Sequence, residues 1–245
     1  MSTSAMTKPL AEMSPRFKAR IAGISYLLTG TTYLFGQMFV LGRVVVEGNA
    51  TATANNILAH QSLFRSAFAA DLLSIACSIV LTVLFYDLFK PVNRTLSLTA
   101  AFVHLVGLAV AAVGSLFLLA PLGVLEGGQH LSAFKAEQLQ ALASVFLKLN
   151  AQAWNEAFMV FFGIYCVLIG YLILRSIFLP RIIGALMALA GLGYMTLLYA
   201  PLAHYLHPYN LAPGALGETS LILWLLVMGV NAQRWKEQAS TAGER

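Results

Sequence analysis

Six stretches of the chain are so long and so apolar that no water-soluble fold can hold them. They cover residues 21–42, 65–87, 96–122, 153–175, 181–203 and 214–232. Roughly 18–20 apolar residues in helical form span a hydrocarbon core about 30 Å thick. Lipid offers no partner for an unpaired backbone amide, so each run is expected to be a helix. The fold class that follows is all-α: a polytopic membrane helix bundle of six transmembrane helices. Composition agrees, with 59% hydrophobic residues, 10% charged residues and a mean hydropathy of +0.76. Soluble domains carry about 25% charged residues. No Pro/Gly/Ser-rich linker divides the chain, so residues 1–20 read as a tail, 21–232 as one membrane domain and 233–245 as a second tail. The first run is longer than the ~7–15 residues of a signal-peptide core and reads as an anchor.

Charge orients the spans. With six of them, the N-terminus, the 88–95 and 176–180 loops and the C-terminus share a side. That side carries eleven Lys and Arg residues, from Lys8, Arg16, Lys18 and Arg20 to Arg234, Lys236 and Arg245; the other carries four, Arg43, Arg65, Lys135 and Lys148. The bias predicts cytoplasmic termini. It also accounts for the net charge of +5 without nucleic acid, because the basic residues sit at helix ends rather than in one patch. Asn49-Ala50-Thr51 and Asn93-Arg94-Thr95 match the glycosylation pattern, but nothing in the chain indicates a eukaryotic secretory route, and they are given no weight.

The longer connections, 43–64 and 123–152, fall on the outer side in this threading. Leu139, Leu142, Phe146 and Leu149 share one helical face, and neither Pro nor Gly interrupts 129–162. That helix can run on into the fourth span, in which case it must tilt, project or bend near Asn150. "RIAGISYLLTGTTYL" (20–34) and "RIIGALMALAGLGYM" (181–195) agree at six of fifteen positions. Three parallel helical-hairpin repeats would explain this; so would chance among apolar helices. In either case Gly23, Gly30, Gly184 and Gly191 are expected to let helices approach closely.

"SPRFKARIAGISYLLTG", "NNILAHQSLFRSAFAADLL", "KPVNRTLSLTAAFVHLV" and "FFGIYCVLIGYLILRSIFLPRIIGALMALAGLGY" resemble a bacterial multi-pass membrane family known as domain of unknown function 4386. The resemblance covers roughly residues 14–232. It implies a bacterial inner-membrane protein and transfers no activity and no catalytic residue.

Functional expectations therefore rest on polar residues inside the spans, where facing lipid would cost a few kcal/mol per charge. Asp71, Ser74, Ser78 and Thr82 form one stripe on the second span. Tyr26, Gly30, Tyr33 and Gln37 do so on the first, and Lys148, Gln152, Glu156, Gly163, Cys166 and Gly170 on the fourth. Asp71, Glu156 and Glu218 lie on the order of 6–10 Å below the outer boundary, with Gln37 and Asn155 at similar depth. This pattern predicts an outer-facing polar chamber lined by Asp71 and Glu156, with Glu218 near its rim. Arg65 is placed at the boundary, where it can snorkel to headgroups and pair with phosphate or with an acid of another helix. His104 is the mid-depth ionisable residue. The candidate ligand-binding residues are thus Asp71, Glu156, Glu218, Gln37, Asn155, Arg65 and His104.

His204 and His207 stand at i, i+3, but Pro208 follows at once and no HExxH-type motif exists. No catalytic residue, metal ligand or cofactor is assigned. The expected partners are the bilayer and a small solute, proton or lipid, taken up by a transporter, channel or sensor. An intramembrane acid/base or metal-dependent enzyme and a scaffold without ligand are the alternatives.

Overall fold

A computed structural model describes residues 13–127 and 131–243. Lys8 and Arg245 of the charge tally lie outside the described residues, as do the start of the N-terminal tail and residues 128–130 of the second long connection. Among the described residues there is no strand. The helices are α1 (Pro15–Val44), α2 (Ala50–Ala59), α3 (Gln61–Phe89), α4 (Arg94–Glu126), α5 (Ala136–Arg175), α6 (Arg181–Leu198), α7 (Ala200–Leu206), α8 (Ala212–Val227) and α9 (Ala232–Gly243). Five of these, α1, α3, α4, α5 and α6, are long and apolar enough to cross a membrane. The bent pair formed by α8 and α9 makes a sixth candidate. The chain is a polytopic helical bundle.

Short polar residues start several helices by accepting the backbone amides that a first turn leaves unpaired. Asn49 Oδ1 accepts from Ala52 N at 2.9 Å, Asn93 Oδ1 from Leu96 N at 2.9 Å and Asn231 Oδ1 from Arg234 N at 3.1 Å. Both asparagines of the apparent glycosylation patterns are thus helix caps.

Two boundaries differ from expectation. The fifth span, expected to reach 203, ends at Leu198, because Tyr199 is extended and Pro201 sits in the first turn of α7. A proline tolerates only that first turn. The sixth, expected over 214–232, stops at Val227. Gly229 then takes φ +68°, a left-handed cap that a side chain would strain, and the chain turns through 103° into α9. The helix before the fourth span does continue into it: Ala136–Arg175 is 40 residues long. It is interrupted only by a π-helical turn at Ala153–Phe158, just beyond Asn150. A second π-helical segment, Leu34–Val40, interrupts α1.

The chain forms two compact units. The first comprises residues 1–26, 80–104 and 162–245, as far as described. Its rings pack in series, Tyr26 edge-on to Phe85, Phe85 to Phe89, and Phe89 stacked on Phe178. Glycines let α5 and α6 cross with backbones in contact: a Cβ on Gly170 would lie 2.6 Å from Ala188 N, and one on Gly191 would strike Gly163 O. Gly23 is tight but less confined, 3.0 Å from Leu225 Cβ. Gly30, which belongs to the second unit, has nothing within 4 Å of a built Cβ. The expected correspondence of Gly30 with Gly191 as close-packing positions therefore fails.

The second unit comprises residues 27–79 and 105–161. Its core joins Val40, Val44, Ile57, Phe64, Ala67, Leu118, Leu122 and Leu147. Many large apolar side chains, such as Phe102, Leu116 and Ile182, are more than 60% exposed, whereas Asp71, Ser74, Ser78, Thr82, His104, Ser115 and Asn150 are buried. This inside-out arrangement suits a chain whose surface meets lipid.

Candidate functional site

Asp71, in the middle of α3, is completely buried in the second unit. Its carboxylate is held by neutral donors. Gln37 Nε2 donates to Oδ1 at 3.2 Å and to Oδ2 at 2.9 Å, and the single hydroxyl proton of Ser115 on α4 is shared between Oδ2 at 3.3 Å and Ala111 O at 3.1 Å. Trp154 Nε1 on α5 donates to Ser115 Oγ at 3.3 Å, so the indole orients the hydroxyl that faces the acid. Gly36 completes the enclosure: a Cβ there would sit 3.1 Å from Asp71 Oδ1. None of the three salt bridges among the described residues involves Asp71. The acid is hydrogen-bonded but has no counter-cation among the described residues.

Gln37 and Trp154 each belong to a π-helical segment. A π turn inserts one residue and re-aims the side chains around it, which is why such turns recur at functional sites. The same insertion overturns the expected stripe on the fourth span. Cys166, Gly163 and Gly170 are buried, but Lys148, Gln152 and Glu156 are exposed, because the extra residue between them rotates the face that an unbroken α-helix would share. Glu156 does not line a chamber with Asp71: in its turn Trp154 and Phe158 point inward while Asn155, Glu156 and Ala157 point out.

Gln37 also borders a cleft of about 930 Å³, lined among others by Leu41, Val45, Glu47, Asn49, Leu147, Lys148, Asn150 and Asn155. Gln37 is common to cleft and acid. Asn155 Oδ1 accepts from Tyr33 Oη at 2.9 Å, and Tyr33 packs against the Trp154 ring at 5.5 Å. Asn150 is wholly buried; its Nδ2 donates to Gly114 O at 3.0 Å, and its Oδ1 has no partner among the described residues.

Of the residues expected from sequence, the structure joins Asp71 with Gln37 and puts Asn155 on the same cleft. Arg65 Nη2 donates to Glu126 Oε1 at 3.4 Å, both side chains half exposed, so its partner is an acid of another helix. Glu218 and His104 belong to the first unit, each with partners there. Tyr194 Oη donates to Glu218 Oε1. His104 Nδ1 lies 2.8 Å from Thr82 Oγ1, with its ring stacked 4.1 Å from that of Tyr165. These two do not belong to the Asp71 cluster. His204 and His207 are exposed, and among the described residues no three His, Cys, Asp or Glu side chains gather as metal ligands would. Ser115, Trp154, Asn150 and Gly36 were not anticipated as parts of the site. The signal for the pair on α5 was present: Asn150 and Trp154 stand one turn apart where an amphipathic helix enters an apolar span.

The profile of the family "Domain of unknown function (DUF4386)" matches residues 21–229. The chain belongs to the DUF4386 family. The match covers every residue of the Asp71 cluster and the cleft. No curated protein and no solved structure matches the chain.

Proposed function

We propose that this DUF4386 protein is a bacterial inner-membrane protein that binds a small polar solute in the Gln37 cleft, as a transporter or sensor. The proposed threading places both termini in the cytoplasm and opens the cleft to the opposite face. One observation carries the reading: Gln37 is at once a wall of the cleft and the principal ligand of a buried carboxylate. Burying a carboxylate away from any cation is costly, which makes an intramembrane acid a functional-site candidate, and a change at Gln37 is felt by Asp71 directly. The mixed lining supports it too. Leu41, Val45 and Leu147 supply apolar surface and a few amides fix orientation, the usual make-up of a small-molecule site.

The test uses the full chain in nanodiscs, screened by thermal unfolding against small polar solutes. A ligand at a hundred times its dissociation constant stabilises the folded state by about 2.7 kcal/mol. Gln37→Ala and Asp71→Asn should each cut the stabilisation by such a ligand to about half or less while the protein stays folded. A ligand whose effect survives both variants would place binding elsewhere.

A further inference from the structure

Three features of the cleft restrict what it can hold, and the inference rests on the reading of the cleft as a ligand site. The first is the direction of two amides. Gln37 spends its Nε2 on Asp71, which turns Oε1 away from the acid. Asn150 spends its Nδ2 on Gly114 O, which turns Oδ1 to the opposite side, where it is buried with no donor among the described residues. Of the four amides that line the cleft, Gln37 and Asn150 thus offer acceptors, whereas Asn49 and Asn155, whose oxygens already accept from Ala52 N and Tyr33 Oη, offer donors. A buried acceptor left unpaired is costly, and a ligand N–H entering there supplies what it lacks.

The second feature is charge. Asp71 is completely buried and all its hydrogen-bond donors are neutral. A cation seated against Gln37 would compensate it across a single side chain. The third is the exposed part of the lining, where Glu47 adds a second carboxylate and Lys148 the one positive charge among the described lining residues. Counting Asp71, acids outnumber cations around the cleft.

We infer that the cleft binds a primary ammonium group, which donates to Gln37 Oε1 and Asn150 Oδ1 and compensates the buried charge of Asp71. A volume of about 930 Å³ exceeds that of an ammonium group, so the remainder of the ligand occupies the apolar wall. A soluble amine and an aminophospholipid headgroup share this chemistry.

The full chain is placed in phosphatidylcholine nanodiscs and titrated with ethanolamine, choline and ethylene glycol, with unfolding temperature as the readout. Ethanolamine should bind at least about tenfold more tightly than the others, the worth of one hydrogen bond to a charged group. Asp71→Asn should weaken it about tenfold and the exposed Glu47→Gln about two- to threefold, while Lys148→Gln strengthens it by a similar small factor. If Asp71→Asn does not fold, the Glu47 and Lys148 variants still decide the sign of the charge effect. Phosphatidylethanolamine added to the discs should compete with ethanolamine if the natural source is lipid; failure to compete assigns the site to a soluble amine. Choline binding as tightly as ethanolamine would overturn the role of N–H donors. Ethylene glycol binding as tightly, with the same dependence on Gln37, would overturn the ammonium and leave the solute site standing. If ethanolamine does not bind, the ammonium inference falls alone when the wider screen finds a Gln37-dependent ligand, and with the solute site when it finds none.

Discussion

Gln37 Nε2 reaches both oxygens of Asp71, at 3.2 and 2.9 Å, from a segment of α1 wound as a π-helix. The amide can make this two-point contact because Gly36 beside it has no side chain; a Cβ there would press to 3.1 Å from the same carboxylate. The strength of the contact depends on the acid's charge. Gln37→Leu should cost about 2–3 kcal/mol in the native protein, since hydrogen bonds to charged groups are the strong ones. In an Asp71→Asn background, which keeps the shape that Gly36 demands, the same change should cost about 1 kcal/mol. Equal costs in the two backgrounds, read from unfolding in detergent, would mean that Asp71 carries no charge in the folded protein.

Glycines that look alike in the sequence should answer differently to the same substitution. A Cβ on Gly170 would meet backbone, Ala188 N at 2.6 Å and Gly184 O at 2.7 Å, and a helix backbone cannot step aside as a side-chain tip can. Gly170→Ala should lower stability by about 1–3 kcal/mol through overpacking. Gly30 has open space where its Cβ would go, so Gly30→Ala should raise stability by about 0.5–1 kcal/mol, the helix preference of alanine over glycine. A loss at Gly30 matching that at Gly170 would restore the repeat symmetry that the packing denies.

The spans and the site residues are legible in the sequence to different degrees for one physical reason. Hydropathy is a sum over some twenty residues, so the spans survive errors of a few positions; α3 was expected over 65–87 and observed over Gln61–Phe89. The buried stripe of Asp71, Ser74, Ser78 and Thr82 was legible because α3 is an unbroken α-helix and keeps its 3.6-residue period. Facing residues on α1 and α5 were harder to assign, because each helix carries a π turn and no local residue pattern announces one. A single inserted residue separates Glu156, which is exposed, from Gly163 and Cys166, which are buried. Trp154 was hidden for the opposite reason: an aromatic residue within an apolar run reads as lipid-facing or packed, and only the fold brings its Nε1 to Ser115.

Asp87 in the first unit ties together two lysines of unequal exposure. It pairs with Lys18, whose side chain is 6% exposed, and with Lys90, which is 44% exposed. Losing the shared acid strands a buried ammonium in one case and a solvated one in the other. Asp87→Asn should therefore cost about 3 kcal/mol, as for breaking a buried pair from one side, and Lys90→Ala less than about 1 kcal/mol. Unfolding temperatures of the two variants in one detergent make the comparison. A small loss for Asp87→Asn would mean that Lys18 reaches water by another route.

The proposed threading makes the last prediction. Arg94, Arg175 and Arg181 stand at helix ends and Arg234 and Lys236 in α9, past the end of α8, in stretches that six spans would put on the same side as the termini, and such an excess of Lys and Arg marks the cytoplasmic face. Ser132, in the connection between α4 and α5, is exposed, and Lys236 on α9 belongs to the opposite set of connections. Cys77 is half-buried and Cys166 buried, so both can be replaced by alanine to give a background free of thiols. In that background Ser132→Cys should react with an impermeant maleimide in intact cells, and Lys236→Cys only after lysis. The reverse pattern would turn the protein over and open the Gln37 cleft to the cytoplasm, so that its ligand would have to be an intracellular amine or a lipid of the inner leaflet. Labelling of both positions in intact cells would instead remove one crossing and leave α8 and α9 as a re-entrant pair, which their 103° bend permits.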